Sequence, residues 1–413
     1  PYRFIDLYVR GDIGENLAFA FIPLSLYFIY KLSTKKDFLS LFLGSFAIAF
    51  LILSHNAIAL ISIGVIFLYG IFLWWKLGFE KNFIIKFLVQ FGLGFALSMF
   101  FWFPALMEGK YTLRDIVTKG AYQTNFVKLS DLIYGPWNYG GSGSFSVQIG
   151  IVQIIAILAS PFVFYKLYLK KNKNFSLVLG LLIFTLLSVF IMLSFSDFIW
   201  SRIIMLQNFQ FPWRFLGLIV FTTAVLGAIL SEYLHKKYKT LITVFLIVLA
   251  VLTSINYTKP NGYYYTLDKF ENGLYKSTTD TGESSPVWSV RFMEKMSKAR
   301  LEVLDGSAKV KELQRTSVYH KYEVNVFKDT LFGENTLYFP GWEIKANGLP
   351  LSVEFQDPHF RGIMTFRLPE GNYILETKYT ETKLRLTSDL ITLISILLIL
   401  GFTSFRFVKA KLY

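Results

Sequence analysis

Long apolar segments recur along this 413-residue sequence, and they constrain its fold more than any other feature. Several of them exceed the roughly 18 uncharged residues that are typical of a membrane-spanning helix. Hydrophobic residues make up 54% of the chain, which is more than one soluble core requires. We count nine candidate spans, at residues 12–30, 38–54, 57–75, 87–105, 147–165, 176–194, 214–234, 240–256 and 387–405.

The start of the sequence and its lack of cysteine limit other interpretations. The chain begins with Pro1, and its first twelve residues contain neither the apolar stretch nor the cleavage site of a signal peptide. We therefore expect the natural protein to have further residues before Pro1. The absence of cysteine excludes disulfides and thiolate metal sites.

The net charge of +14 is unevenly distributed. Residues 257–385 hold 18 Lys and Arg against 17 Asp and Glu, whereas the rest of the chain holds 24 against 11. The excess lies mostly in every second loop between apolar segments, as expected for cytoplasmic loops. This placement argues against nucleic acid as a partner. It predicts a multi-pass protein of the plasma (inner) membrane, with residues 257–385 outside and the C-terminus in the cytoplasm.

Residues 257–385 have the pattern of a β domain. The segments "YEVNV" (322–326) and "IMTFRL" (363–368) alternate apolar and polar residues, and turn signals separate such runs. We predict a small, sandwich-like external domain before the last span. The expected organisation is a GT-C-like bundle of eight spans at 1–256, the β domain at 257–385, and the last span with a cytoplasmic tail at 386–413.

Two segments between spans are expected to lie at the membrane surface. Residues 106–146 form a long external loop that ends in an aromatic and glycine-rich run. Residues 195–213 are half apolar and half polar, which suits an interfacial or re-entrant segment. Long loops are often functional, although a solvated loop explains the first segment equally simply.

Known cofactor and metal motifs are absent from the sequence. The four histidines, at 55, 235, 320 and 359, lack zinc-ligand spacing, and there is no Walker A, GxGxxG or GxSxG motif. We therefore predict no metal ligands and no evident cofactor. A divalent metal is compatible with this chain, but no residue pattern supports one.

Charged residues crowd the start of the first span. Arg10, Asp12, Glu15 and Asn16 lie within two helical turns. Two acids at a helix N-terminus have a plain structural explanation, since they cap the helix and favour the positive end of its dipole. Glu15, however, lies a turn inside the span, deeper than a cap requires. Asp12 and Glu15 are therefore our candidate catalytic acids.

Two further polar groups fall on the same predicted membrane face. His55 and Asn56 lie in a tight turn, where polar residues are also expected without any function. In "FQFPWRF" (209–215), Trp213 suits the interfacial aromatic belt. Arg214 could reach lipid headgroups, or it could face the bundle and bind a phosphate with two parallel hydrogen bonds. Together with Arg10, these residues form the predicted substrate-binding set.

The same segments resemble a known family. "PYRFIDLYVRGDIGENLAFAFIPLSLYFIY", "LSHNAIALI" and "FQFPWRFLG" resemble the membrane region of bacterial 6-pyruvoyl-tetrahydropterin synthase-related proteins. The region "LYFPGWEIKANG…LPEGNYILETKY" followed by a span resembles the end of YfhO-like membrane proteins. Both groups resemble the GT-C superfamily of glycosyltransferases. The pterin chemistry in the name needs a three-histidine zinc site, and the sequence lacks that pattern.

The resemblance implies an activity and a partner. GT-C enzymes typically transfer a sugar from a polyprenyl-phosphate donor at the external membrane face. Their acidic residue lies in an external loop that would precede Pro1, so it maps onto no residue here. The resemblance matches Arg10 and Glu15 to the family's "RG…E", His55 and Asn56 to its "HN", and Arg214 to its "FPWR". It implies membrane lipids and a lipid-linked sugar donor as partners.

Two rival functions remain open from the sequence. One is a non-enzymatic membrane protein that carries or scaffolds lipid-linked glycans. The other is a transporter, although the spans hold few charges near their centres, where ion pathways usually show them. An acidic motif in the sequence before Pro1 would favour the enzyme. The sugar, the acceptor and the oligomeric state are not readable from the sequence.

Overall fold

A computed structural model describes residues 1–135, 146–172, 174–234, 236–255, 282–292, 294 and 297–412. Part of the predicted 106–146 loop and the predicted start of the β domain at 257–281 lie outside these described residues. The chain divides into two compact units. We call residues 1–98, 119–265 and 392–413 the helical unit, and residues 99–118 and 266–391 the sheet unit.

Helices dominate the described part of the helical unit. They are α1 (Tyr2–Tyr8), α2 (Ile13–Lys35), α3 (Phe38–Ser54), α4 (Asn56–Lys76), α5 (Lys81–Leu97), α8 (Leu129–Ile133), α9 (Ile151–Leu169), α10 (Phe175–Met192), α11 (Asp197–Arg202), α12 (Ile204–Gln207), α13 (Leu216–Glu232) and α14 (Lys236–Ser254). Two short helices, α6 (Met99–Met107) and α7 (Arg114–Thr118), lie in the sheet unit. The last helix, α15 (Lys383–Leu412), begins in the sheet unit and ends in the helical unit.

Among the described helices, seven are long and apolar enough to cross a membrane. They are α2, α4, α9, α10, α13 with the 3₁₀ turn that begins at Pro212, α14, and α15 as far as Arg406. An eighth results if α5 and α6 count as one span, but a bend of 71° separates them. Helix α3 is apolar and has only 17 residues, or about 26 Å of length. The predicted polytopic helical membrane protein is confirmed, whereas the count of nine spans stays a prediction.

Small residues allow α3 and α5 to pack closely. A Cβ atom on Gly94 would lie 2.7 Å from Ile48, and one on Gly44 would overlap the side-chain amide of Gln90. Gln90 is fully buried, and its Nε2 donates to the carbonyl oxygen of Ser40 at 2.9 Å. Close backbone approach and inter-helix hydrogen bonds of this kind stabilise helix pairs in membranes.

Residues 195–213 contain two short helices, α11 and α12. The exposed large apolar side chains of this segment are Phe195, Phe198, Ile203, Ile204 and Met205. The mixture of short helices and exposed apolar residues is compatible with the interfacial or re-entrant segment predicted from the sequence. Its place in a membrane stays a prediction.

The sheet unit is built on one antiparallel sheet among the described residues. Its strands are β1 (Leu301–Arg315), β2 (Tyr319–Leu337), β3 (Trp342–Ala346), β4 (Leu349–Pro350), β5 (Ile363–Leu368) and β6 (Gly371–Tyr379). The order is β1-β2-β6-β3-β4, and β5 pairs with the second half of β2. "YEVNV" lies in β2 and "IMTFRL" is β5, so the predicted strands and the β domain are confirmed.

Strand β2 curls until its two ends meet. His320 and Glu334 are 14 residues apart on this strand, or about 46 Å if it were straight. Nevertheless, Nδ1 of His320 lies 3.0 Å from Oε1 of Glu334. Strand β1 follows the curl through register shifts between Val303 and Ala308, where Gly306 has a φ of 96°. Such bulges bend a strand and increase its twist.

The curled sheet encloses one apolar core. Side chains from both halves of β2, from β3 and from the later strands share it, so the two parts of the sheet face each other as in a sandwich. The fully or nearly buried members are Leu301, Tyr322, Val324, Val326, Phe332, Ile344, Ala346, Met364, Phe366, Leu368 and Leu375.

The first part of the predicted 106–146 loop packs within the sheet unit, which the sequence did not predict. The backbone N–H of Leu113 donates to Ser285 at 2.8 Å, and that of Val287 donates to Tyr111 at 3.0 Å. The rings of Tyr111 and Trp288 stack with 5.7 Å between centroids. These contacts tie the residues after α6 to the segment before β1.

A largely buried ion pair joins α15 to the residues after α6. Nε and Nη2 of Arg385 donate to Oε2 of Glu108 at 2.9 and 2.8 Å, and Oγ1 of Thr382 donates to Oε1 at 3.0 Å. Nη2 of Arg385 also donates to the carbonyl of Pro340 at 2.9 Å. The guanidinium lies over the ring of Tyr379, 4.7 Å from its centroid. Both charged side chains are only about one-tenth exposed.

Candidate functional site

A sharp corner between α1 and α2 places the first charged residues. Gly11 at this corner has a φ of 66°, a conformation that glycine adopts without strain. Asp12 then caps α2, because its Oδ1 accepts the backbone N–H of Glu15 at 2.8 Å. The cap predicted for Asp12 is therefore present, and it directs Glu15 into the interior, where its side chain is fully buried.

Arg10 lies at the centre of the site. Its Nη1 contacts the carboxylates of Asp6 and Glu15, the latter at 2.9 Å, and its Nη2 lies 3.2 Å from Asp12. The side chains of Asp6 and Glu15 are fully buried, and Arg10 is 14% exposed. Buried carboxylates are tolerated when they are paired in this way. The single guanidinium of Arg10 therefore forms ion pairs with three acidic side chains.

Uncharged donors complete the pairing of the two buried acids. The hydroxyl of Tyr2 donates to Oε1 of Glu15 at 2.5 Å. Nδ2 of Asn16 donates to Oδ2 of Asp6 at 2.9 Å. Tyr2 is itself buried, with 1% exposure. These contacts fix both carboxylates in position.

His55 connects the start of α4 to Asp12. Its Nδ1 accepts the backbone N–H of Ile58 at 3.2 Å, so the imidazole caps α4. Nε2 must then carry the proton in the neutral ring, and it lies 3.3 Å from Oδ2 of Asp12 as a donor. Asn56 is the first residue of α4 and is exposed. None of the contacts described for Arg10, Asp12 and Glu15 involves Asn56.

The environments of Asp6 and Asp12 separate their pKa values. Burial, followed by the negative charge of Glu15, raises the pKa of Asp6 to about 8 against the opposing effect of Arg10. For Asp12, burial also acts to raise the pKa. Hydrogen bonds from His55 and from the backbone of Glu15 outweigh that effect and lower the pKa well below its usual range. The surroundings thus disfavour ionisation of Asp6 and favour ionisation of Asp12.

The 3₁₀ turn at Pro212–Phe215 brings an aromatic ring and a second arginine to this place. Pro212 stands at the first position of the turn. The ring of Trp213 is buried beneath Arg10, whose guanidinium carbon lies 4.6 Å from the ring centroid. Trp213 therefore packs inside the helical unit as a support for Arg10.

Arg214 lies beside these groups without a direct ion pair among the described residues. Its Nη1 donates to the carbonyl oxygen of Phe209 at 3.0 Å. Its Nε is buried and has no hydrogen-bond partner among the described residues. Arg10, Glu15 and Asp12 all act on it electrostatically. We call Asp6, Arg10, Asp12, Glu15, His55 and Arg214 the charged cluster.

The charged cluster does not fit a metal ion in this arrangement. Ligand atoms of Asp12, Glu15 and His55 lie within 4.8 Å of one another, which is close enough to share a cation. Arg10, however, already pairs with both carboxylates. The lone pair on Nδ1 of His55 accepts the backbone N–H of Ile58, and Nε2 carries the proton of the neutral ring. A metal would have to displace Arg10 and this cap, so we derive no step through one.

An apolar groove of about 430 Å³ lies between α2, α4, α10 and α13. Pro23, Tyr69, Phe184 and Phe221 are among its lining residues. Pro23 is eight residues beyond Glu15 on α2, or about 12 Å along the axis. Phe221 is seven residues beyond Arg214, or about 10 Å. The groove therefore begins about two helical turns deeper in the bundle than the charged cluster.

The structure brings together most of the predicted site residues. Arg10, Asp12, Glu15, His55 and Trp213 are linked by contacts, and Arg214 lies within electrostatic range of them. The sequence reading missed Asp6 and Tyr2. Asp6 and Arg10 are four residues apart, and this spacing of opposite charges is a signal that could have identified Asp6. Tyr2 offered no local signal, because its partner is thirteen residues away.

Comparison with known families gives one match. A family model described as "6-pyruvoyl-tetrahydropterin synthase related domain; membrane protein" matches residues 4–259, which is more than half of the chain. The matched region contains the whole charged cluster. No curated protein and no solved structure gives a significant match.

Proposed function

This chain belongs to the 6-pyruvoyl-tetrahydropterin synthase-related family of membrane proteins, and from that premise we propose that it is a membrane glycosyltransferase of GT-C type. The proposed donor is a sugar linked to a polyprenyl phosphate. The proposed place of reaction is the external face of the plasma membrane, in the synthesis of cell-envelope glycans or glycolipids. The observation that carries the proposal is the position of the charged cluster above an apolar groove.

The charged cluster matches the polar end of such a donor. Arg214 has an unpaired, buried Nε in addition to the Nη1 that bonds Phe209. A guanidinium N–H that has no hydrogen-bond partner can donate to a phosphate oxygen. The positive charge of the arginine would also neutralise the leaving phosphate, which lowers the barrier to sugar transfer. Asp12 is ionised and 20% exposed, so it is the carboxylate that a substrate hydroxyl can reach. Glu15 is buried and positions Arg10 and Tyr2.

The apolar groove matches the other end of the donor. A polyprenyl chain attached to a phosphate at Arg214 would extend into the bundle, where the groove begins about 10 Å away along α13. Its walls are aromatic and aliphatic, and its volume of about 430 Å³ holds several isoprene-sized groups. Head and chain would then occupy neighbouring sites on α2 and α13.

We do not propose pterin chemistry for this chain. A three-histidine zinc site would have to bring its ligands together. Each described histidine instead pairs with a different carboxylate: His55 with Asp12, His320 with Glu334, and His359 with Asp357.

Sugar transfer by the reconstituted full-length protein tests the proposal. With a polyprenyl-phosphate sugar in proteoliposomes, Arg214→Lys and Asp12→Asn are each expected to lower transfer at least about tenfold, or roughly 1.4 kcal/mol. Lysine keeps the charge but loses the planar fork that binds phosphate. Arg202→Lys is the matched control, since Arg202 is exposed and outside the charged cluster.

The outcomes separate the rival functions. Normal transfer by both variants at unchanged thermal stability would contradict the proposal and leave the charged cluster with a structural role. Donor binding without any transfer, lost in Arg214→Lys, would favour a carrier of lipid-linked glycans. Donor movement across the bilayer without transfer would favour a transporter.

Orientation in the membrane is a separate prediction. Because basic residues occupy every second loop, Lys76 and Lys237 are expected in the cytoplasm and Ser307 outside. All three side chains are exposed, and the chain has no native cysteine. In intact cells, an impermeant thiol reagent should label a cysteine at 307 and spare those at 76 and 237. The reverse pattern would invert the proposed orientation.

A further inference from the structure

A polar cavity of about 670 Å³ lies in the sheet unit, where the two ends of the curled β1–β2 hairpin meet. Arg300 and Asn335 line it from one end of the hairpin. Arg315, Ser317 and His320 line it from the other end. The volume falls within the range of small-ligand sites.

Buried polar groups hold the floor of this cavity in place. Glu334 is fully buried, and its Oε1 is bonded to His320 at 3.0 Å and to the hydroxyl of Thr336 at 3.1 Å. Nη1 of Arg315 donates to the hydroxyl of Tyr322 at 2.8 Å. These bonds fix three residues that line the cavity, namely His320, Thr336 and Arg315.

One buried acceptor beside the cavity is left over. Oε2 of Glu334 has no hydrogen-bond partner among the described residues. An unpaired buried acceptor is costly, and it is normally satisfied by a donor from a ligand, a water or a protonated neighbour. Glu334 is not among the described residues that line the cavity, so its buried carboxylate holds the lining residues His320 and Thr336 in place from behind the cavity floor.

The charges of the lining favour an anion. Among the described lining residues, Arg300 and Arg315 are cations and Glu312 is the one carboxylate. Arg300 is exposed and forms no ion pair among the described residues, whereas Arg315 lies 3.5 Å from Glu334. Arginine side chains bind carboxylates and phosphates with two parallel hydrogen bonds. The other described lining groups are three hydroxyls, one amide and the imidazole of His320, and these are polar groups that can hydrogen-bond sugar hydroxyls.

We propose that this cavity binds a carbohydrate that carries an oxyanion, either a carboxylate or a phosphate. Arg300 holds the oxyanion at the exposed side, while Thr336, Asn335 and Ser317 hydrogen-bond the sugar hydroxyls. The site is distinct from the charged cluster, so the inference does not depend on transferase activity.

Binding of defined sugars to the purified chain in detergent tests this inference. Trigalacturonate carries carboxylates, glucose 1-phosphate carries a phosphate, maltotriose is neutral, and inorganic phosphate lacks a sugar. By titration calorimetry, at least one acidic sugar is expected to bind about tenfold or more tightly than both maltotriose and inorganic phosphate. Equal binding of inorganic phosphate, equal binding of maltotriose, or binding of neither acidic sugar would overturn the proposal.

Variants localise the binding. Arg300→Gln removes the unpaired cation, and Ser317→Glu adds a repelling charge at an exposed turn residue; each is expected to weaken the acidic sugar at least about tenfold. Arg367→Gln is the matched control, because Arg367 is an exposed arginine of β5 that pairs with Asp329. Wild-type affinity in both Arg300→Gln and Ser317→Glu would rule this cavity out.

Discussion

Replacing Arg10 with alanine is expected to lower the free energy of unfolding of the helical unit by about 3–5 kcal/mol. Arg10 is the cation shared by Asp6, Asp12 and Glu15, and two of these side chains are fully buried. Without it, Glu15 keeps only the hydroxyl of Tyr2 as a side-chain partner among the contacts described here. The measurement is equilibrium or thermal unfolding of the purified protein in detergent.

The pH dependence of this loss gives a second check. In Arg10→Ala, Asp6 loses its cation, so the pKa of this carboxyl, which burial already raises, rises further in the folded protein. The folded variant then binds more protons than the unfolded chain, and its stability falls as the pH rises. We expect a larger deficit at pH 8 than at pH 5. Arg202→Ala is the control, and a deficit below about 1 kcal/mol for Arg10→Ala would contradict the argument.

Replacing Arg385 with alanine is expected to destabilise the sheet unit by about 3 kcal/mol or more. The change leaves Glu108 largely buried with the hydroxyl of Thr382 as its remaining described donor. It also removes the hydrogen bond to Pro340 and the contact with the ring of Tyr379. Thermal unfolding of the purified protein, followed by tryptophan fluorescence, measures the effect.

Two comparisons make this second prediction specific. Arg361→Ala removes an exposed pair with Glu294 and is expected to cost at most about 1 kcal/mol. The double variant Glu108→Gln with Arg385→Met removes both charges and should recover part of the stability lost in Arg385→Ala, since no unpaired charge remains. A double variant less stable than Arg385→Ala would show that the lost contacts of Arg385, rather than the stranded carboxylate, dominate.

Local patterns were enough to predict the main elements of the fold. A long apolar run needs only its own composition to specify a membrane helix, and alternation specifies a strand in the same way. The curl that brings His320 to Glu334 was not predictable, because it depends on bulges around Gly306 whose positions have no local signature. The packing of residues after α6 in the sheet unit was missed for a related reason: its partners lie more than 170 residues away.

The sequence predicted most residues of the charged cluster, but it did not predict the contacts between them. Charges near the ends of apolar segments are costly unless they are paired. The sequence therefore predicted Arg10, Asp12, Glu15 and Arg214 as candidate site residues on one membrane face. The sequence predicted Arg10 as one member of a substrate-binding set, and the structure places it at the centre of the cluster, with three acids around it. That outcome depends on Asp6, which lies four residues before Arg10, and on the turn at Gly11 that brings Glu15 to the same arginine.

The curled hairpin also has a kinetic consequence. The β1–β2 ladder can form outward from the turn at 316–318, one neighbouring pair at a time, with little loop entropy to overcome. Contact between His320 and Glu334 requires both ends of β2 to be in place already, so it belongs to the last stage of folding. A truncation such as His320→Ala is therefore expected to speed unfolding while leaving the refolding rate nearly unchanged, which stopped-flow fluorescence can measure. The contact between His320 and Glu334 at the floor of the polar cavity would then control the unfolding rate of the sheet unit, with little effect on its folding rate.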